Sequence, residues 1–495
     1  MSNFIEQNNT LIENLGVVVR EFSHNPTAAR HYHLEAKDDN NAFMVGFPTI
    51  PENSTGVAHI LEHTALCGSK RYPVRDPFFM MLRRSLNTYM NAFTAPDMTA
   101  YPFATKNKKD FYNLLEVYLD ATFFPLLDEL DFLQEGWRYD WEESGAEPKF
   151  LYQGVVFNEM KGAMSSPNSQ LWQHLHSSLF PDTNYRFNSG GDPVEIPNLT
   201  YAQLKSFHKK YYSPANAVFL TYGDLPFEKH QEKFEELVLK EFKPSTEIAK
   251  ISFQTSFDKP SRAEHLYYQS KMDDCSDFVL WAWVYGSVTN PIEVVEMNLI
   301  TDILIGHSGS PLLAYLESIK ESKSPSELSG VDDSSRQLIF ACGLEGVSAS
   351  KENIDIYEDK IFEVFQSLVE NPPNIETLTA SLDRLELDQC DLGAGNYPLG
   401  LQLFGRILPS TVYRDDPLSL FRLETIIEEL RLRLSDKSYF PNLIRKIFIN
   451  NNHWTRITMR ASMDVNPERF INEKLQSVVS SFSELEKDKI KSESH

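Results

Sequence analysis

Apolar positions at the start of the chain alternate or run together in short segments, then change to helical spacing. Residues 15–21 (LGVVVRE), 31–35 and 42–47 read as strands, the last two separated by the polar turn Asp38-Asp39-Asn40-Asn41. The stretch Pro51-Glu52-Asn53-Ser54-Thr55-Gly56 then punctuates the chain. Ser54 or Thr55 is placed to cap a compact apolar helix that stops at Gly68. Helical spacing follows over 78–86, and two strands flank the turn Ala95-Pro96-Asp97 within 90–103. A long helix is predicted over 108–123, and a helical run over 152–180 is broken near Ser165-Ser166-Pro167. Residues 201–212 read as helix and 216–222 (NAVFLTY) as strand.

The chain turns polar over 243–250, around Pro244-Ser245-Thr246, and a linker is expected there. Beyond it the order repeats loosely. Strands are predicted at 264–269 and 278–285, helices at 292–306, 354–370 and 375–388, and a last strand at 454–459. This echo suggests a duplication whose second copy carries shape without chemistry, since its helix (VVEMNLITDILIG) holds no paired histidines. Antiparallel-looking strands mixed with helices make the fold class α+β. The expected division is 1–245, 250–485 and a frayed charged tail over 486–495.

At 495 residues the chain exceeds a single ordinary core, and 41% hydrophobic residues suffice to build more than one. A formal net charge of −23 argues against a nucleic-acid partner, which would need a basic face. Four scattered cysteines, Cys67, Cys275, Cys342 and Cys390, fit a reducing compartment better than a disulfide scaffold. The first residues show neither a secretory nor a transit-peptide pattern, and no stretch approaches the roughly 18 apolar residues of a membrane span. Cytoplasm, with no membrane partner, is therefore the expected location, and an organelle the alternative if a leader is missing from this sequence.

The sharpest local feature is His59-Ile60-Leu61-Glu62-His63. Residues four apart on a helix share a face, so both imidazoles can reach one metal ion while Glu62 lies beside them. Chance alone produces such a pattern in a chain of this length roughly a few per cent of the time. Its neighbours Val57, Ala58, Ile60, Leu61, Ala65 and Leu66 are apolar, and burying two histidines and a carboxylate among them without a partner would be costly. The order is that of the inverzincins. A catalytic zinc wants a third protein ligand, and Glu116, Glu129, Glu135, Glu142 and Glu159 all lie downstream. Glu159 shares a helical stripe with Tyr152, Val155, Val156, Met160 and Ala163, which favours it; Glu135 and Glu142, amid other acids, read as solvated. Cys67, four residues beyond His63, reads as a buried inert thiol.

Several long segments together, STGVAHILEHTALCGSKRYPVRDPFF, LNTYMNAFTAPDMTAYPF, FLQEGWRYDWEE and GVVFNEMKGAM, resemble the presequence protease branch of the pitrilysin/insulinase family. The resemblance implies two related α/β-sandwich domains around a peptide chamber. It makes His59, His63 and Glu159 ligands of one Zn2+ per chain and Glu62 the general base of a peptidase that uses metal-activated water. It also makes Asn91, Ala92 and Phe93 an edge that pairs with an extended peptide. Unfolded peptides are the implied substrates, and basic ones would suit the acidic chain. Many family members carry a further glutamate where this chain has Tyr152, so support for the ligands must come from elsewhere. Presequence proteases are about twice as long, and their second half supplies Arg and Tyr groups to the substrate. A second half-chain or a homo-oligomer closing the chamber is the implied partner. The competing readings are a non-catalytic half-subunit, against which the intact motif counts, and a small-molecule zinc lyase, against which length and the N-E-M-K-G motif count.

Overall fold

The computed structural model describes residues 3–143, 148–244, 247–270, 276–348, 350–390 and 397–493. Two mixed sheets dominate. The larger has eight strands, ordered Phe4–Ile12, Val17–His24, Arg30–Glu35, Val218–Gly223, Asn41–Pro48, Met98–Thr105 and Asn87–Met90, with Phe93–Thr94 paired to Met98–Thr105. The smaller has six, ordered Ser261–Tyr268, Trp454–Ser462, Asp277–Tyr285, Leu338–Val347 and Ser324–Pro325, with Gly330–Asp332 paired to Leu338–Val347.

Both sheets contain the same four-strand core. Arg30–Glu35 runs parallel to Val218–Gly223, which is antiparallel to Asn41–Pro48, itself antiparallel to Met98–Thr105. Ser261–Tyr268, Trp454–Ser462, Asp277–Tyr285 and Leu338–Val347 repeat that order and sense. A helix follows the third strand of each core: Val57–Ala65 in the first copy and Pro291–Ile305 in the second. The second is filled with Val295, Met297, Leu299, Ile300 and Leu304, all buried, where the first holds two histidines.

The copies are interlocked. Helix Pro167–Leu179, from the first half, buries Leu171, Leu175 and Leu179 against Leu280, Ala282, Ile457 and Met459 of the smaller sheet. Helix Leu399–Tyr413, from the second half, returns the arrangement by laying Leu401, Phe404, Ile407 and Leu408 on Ala42, Met44, Ala100 and Leu220 of the larger sheet. Gly400 permits that approach, because a Cβ there would meet Tyr222 Cδ1 at 2.5 Å and Ala42 Cβ at 2.9 Å. The Arg30 guanidinium donates to Thr411 O at the same seam. On the other face of the larger sheet, Phe43, Val45 and Phe47 enter a core with helix Lys108–Phe123. Covered on both faces, Asn41–Pro48 is buried throughout, which explains its continuous apolar run.

Several expectations need correction. The polar edge strand Phe4–Ile12, the strand Leu338–Val347 and the helix Leu399–Tyr413 were not legible, the last because Pro409 sits inside it. Tyr152 lies on strand Lys149–Gln153 rather than on a helix, paired with Arg138–Glu142 in a two-stranded ribbon. The charged tail is helical over Glu484–Glu493, and Lys491 Nζ lies 5.1 Å from the centre of the Trp141 ring; residues 494–495 lie outside the described residues. Helix Pro467–Val479, although C-terminal, buries Ile471, Leu475 and Val479 in the core of the larger sheet. The expected linker includes residues 245–246, outside the described residues; the chain beyond it is held down by Ile251 and by Gln254, which bonds Asp182 and Gln337. Among the described residues, no helix is long and apolar enough to cross a membrane.

Candidate metal centre and active site

The site is built on helix Val57–Ala65. Neither Ser54 nor Thr55 caps it; Gly56 does, at φ 70°, and a Cβ there would meet Gly190 O at 2.7 Å. The tight start brings the Gly190 carbonyl to the helix, where His59 Nδ1 donates to it at 3.1 Å. One turn on, His63 Nδ1 donates to Glu135 Oε2, also at 3.1 Å. Each imidazole thus has its Nδ1 proton held by an acceptor, which leaves the Nε2 lone pair for a metal.

Glu159 supplies a third donor. Its Oε2 lies 3.7 Å from His59 Nε2 and 3.9 Å from His63 Nε2, and the three ligand atoms all fall within 4.8 Å of one another. Tetrahedral zinc with bonds near 2.1 Å would space its donors by roughly 3.4 Å, so the set fits the ion with small adjustments. The helical stripe that favoured Glu159 does not exist as read. Helix Val155–Ala163 buries Val156 and Phe157, Val155 faces solvent, and the Glu159 side chain is 55% exposed. Convergence of two helices in space, rather than burial, brings Glu159 to the histidines.

Of the other acidic candidates, Glu116 pairs with Lys233 and Glu142 with Lys149, at 3.1 and 3.4 Å. Glu129 opens helix Glu129–Glu135 and is exposed. Glu135, expected to be solvated, is instead only 12% exposed and lies against His63. Gln134 Nε2 donates to its Oε1 at 3.0 Å, and the Arg75 guanidinium in turn donates to Gln134 Oε1. This chain therefore supports His63 from residue 135 rather than from position 152. A separation of 72 residues between Glu135 and His63 left no local signal of the pairing. Burial opposes the charge on both partners, but their hydrogen bond and mutual attraction prevail, so the carboxyl of Glu135 is lowered and the imidazole of His63 raised.

Glu62 is buried between the histidines and the strand Phe93–Thr94. Desolvation raises its pKa, while a hydrogen bond from Thr94 Oγ1 at 2.7 Å and the nearby imidazoles oppose the rise. A carboxyl balanced in this way can accept a proton and release it again. Cys67 stands apart from the donor cluster; its buried Sγ donates weakly to His63 O, and burial beside Glu135 and Asp131 pushes the thiol far up. Cys342 is also buried, and the side chains of Cys275 and Cys390 lie outside the described residues. Strand Asn87–Met90 forms the edge of the larger sheet. Asn91 follows it, with its backbone N–H on Pro102 O at 3.1 Å and its side chain exposed. Ala92 is half-buried, and Phe93 opens the short strand that pairs with Thr99 and Ala100.

A family model described as insulinase (peptidase family M16) matches residues 45–177, and one described as the peptidase M16 inactive domain matches 198–385. The mitochondrial presequence protease of Danio rerio is 37% identical, over 96% of this chain and 46% of its own length. Presequence protease 1 of Arabidopsis thaliana, named as chloroplastic/mitochondrial, is 36% identical over 92% of this chain and 42% of its own length. Protein HypA of Clostridium perfringens is 36% identical over 96% and 49%. The chain spans about half the length of the curated relatives it matches. Among solved structures, a protease from Helicobacter pylori superposes with TM-score 0.66 at 16% identity, covering 93% of this chain and 100% of its own. Pitrilysin gives TM-score 0.63 at 17% identity, over 94% of this chain and 47% of its own. The relatives named for mitochondria and chloroplasts overturn the expectation of a cytoplasmic protein. The two model matches and the similarity to presequence proteases along nearly the whole sequence show that this chain belongs to the pitrilysin/insulinase peptidase family M16, on its presequence protease branch.

Proposed function

We propose that the protein is a zinc-dependent endopeptidase that cleaves short unfolded peptides of presequence or leader type. The observation that carries this reading is the convergence of His59, His63 and Glu159 within 4.8 Å, with the Glu62 carboxyl beside them. His59, His63 and Glu159 would hold one Zn2+, which supplies Lewis acidity toward the peptide carbonyl and lowers the pKa of water toward about 7. Glu62 takes the proton of the attacking water and passes it to the leaving amine. Thr94 holds one Glu62 oxygen at 2.7 Å, which leaves the other for that proton. Asn91, Ala92 and Phe93 orient the substrate as an added strand, so that main-chain hydrogen bonds provide affinity for extended peptides of varied sequence.

The test is cleavage of a quenched fluorescent, unstructured basic peptide by the purified chain, with Glu62→Gln as control. Zinc-dependent cleavage lost in the variant is the expected result. The match of residues 198–385 to the peptidase M16 inactive domain leaves room for a second reading, a partner-dependent or non-catalytic half-subunit whose chamber is closed by a second half-chain or a second copy. No cleavage by zinc-loaded chain would overturn self-sufficient activity and leave that second reading.

A further inference from the structure

The turn that carries Thr94 is anchored in part by the half of the molecule that has no metal ligands. Ala95 N–H donates to Met98 O and closes the hairpin, whose tip places Asp97 at 0% exposure. The Asp97 carboxylate accepts two hydroxyls on Oδ2, from Tyr185 at 2.5 Å and from Tyr413 at 2.8 Å, and its carbonyl accepts Thr49 N–H at 2.8 Å. Tyr413 is the last residue of helix Leu399–Tyr413. Tyr185 in turn accepts the backbone N–H of Arg336 at 2.8 Å, and the Arg336 guanidinium lies 5.2 Å from the centre of the Tyr413 ring. Asp97 Oδ1 has no hydrogen-bond partner, so this buried carboxylate depends on the two phenols. Three residues before Asp97, Thr94 donates to Glu62, and Thr99, on the strand that Asp97 leads into, lies 3.3 Å from the Thr94 hydroxyl.

The geometry points to Asp97 as a positioning residue through which Tyr413, from the second half of the molecule, and Tyr185, from the first, hold the Phe93–Ala100 hairpin against Glu62, so that the second half helps to set the active-site geometry. The inference rests on the peptidase reading for its catalytic consequence, but not for the mechanical link. A hairpin released at its tip lets Thr94 leave Glu62 while His59, His63 and Glu159 stay in place, since none of those three is bonded to the hairpin.

Tyr413→Phe removes one hydroxyl and keeps the ring. In the full zinc-loaded chain it is expected to lower kcat about tenfold, the order expected for one lost buried hydrogen bond. Zinc content should be unchanged, because the ligands are not bonded to the hairpin, and KM should change less than kcat, because Asn91 and Ala92 of the peptide-pairing edge lie outside it. Amide hydrogen exchange of residues 93–100 should accelerate by a similar factor. Asp97→Ala should show both effects more strongly, and Asp97→Asn, which can still offer one oxygen to the two phenols, should restore both toward wild type. Wild-type exchange and wild-type kcat in folded Tyr413→Phe would overturn the inference. If Asp97→Ala does not fold, Tyr413→Phe alone decides. If the wild-type chain cleaves nothing, the peptidase reading fails, whereas hydrogen exchange still decides whether Tyr413 holds the hairpin.

Discussion

Replacing Glu135 should weaken zinc binding although Glu135 touches no metal. Its Oε2 sits 3.1 Å from His63 Nδ1, and at 12% side-chain exposure water cannot readily replace it. Partners of this kind are typically worth 10–100-fold in metal affinity, about 1.4–2.7 kcal/mol. Glu135→Gln keeps a hydrogen-bond acceptor and loses the charge, so about tenfold is expected, and Glu135→Ala loses both, so about a hundredfold. Chelator competition on the folded variants reads the affinity directly. The sign of the pH dependence adds a check. Glu135 also helps to raise the pKa of His63, so in wild type a proton competes with the metal more strongly than in the variants. The gap between wild type and variant should therefore narrow as pH falls. Wild-type zinc affinity in Glu135→Ala would refute the assignment of Glu135 as the support of His63.

Other outcomes follow from the same structure. Phe404 is fully buried at the seam between helix Leu399–Tyr413 and the larger sheet, so Phe404→Ala should cost about 3–5 kcal/mol in urea unfolding, less only if the seam can collapse. A chain ending at residue 244 would leave that face of the larger sheet uncovered; we expect it to be insoluble or to bind a hydrophobic dye, and a well-folded monomer would contradict the interlocked core. Burial raises the carboxyl of Asp97 to about 6, against the hydrogen bonds from Tyr185 and Tyr413, so above pH 6 its ionisation costs stability and below about 3.8 it costs none. Asp97→Asn should accordingly remove a pH-dependent loss of about 3 kcal/mol at most, so that its stability relative to wild type rises between pH 5 and pH 7.5; a difference independent of pH would refute it. Chelating zinc should lower the melting temperature, by the equivalent of about 2.7 kcal/mol if the free metal had stood at a hundred times its Kd.

Local spacing made His59, Glu62 and His63 legible, because positions three and four apart on a helix meet whatever the rest of the chain does. The apolar segments near residues 42–47 and 278–285 were equally legible, since strands covered on both faces must be apolar throughout. The helical stripe that favoured Glu159 is absent from the structure, and what remains of the sequence argument for it is the resemblance of the N-E-M-K-G segment to the family. The pairing of Glu135 with His63 and the anchoring of Asp97 by Tyr185 and Tyr413 join residues 72, 88 and 316 positions apart. The exchange of helices Pro167–Leu179 and Leu399–Tyr413 between the sheets is of the same kind. The sequence by itself determined which helix could carry the metal and that two similar α+β halves were present. Only the tertiary structure decided what orients the imidazoles and what holds the hairpin beside Glu62. The physical reason is range: a helix repeat is set by neighbours within one turn, whereas a buried carboxylate's partner is set by whichever distant side chain the packed sheets bring within 3 Å.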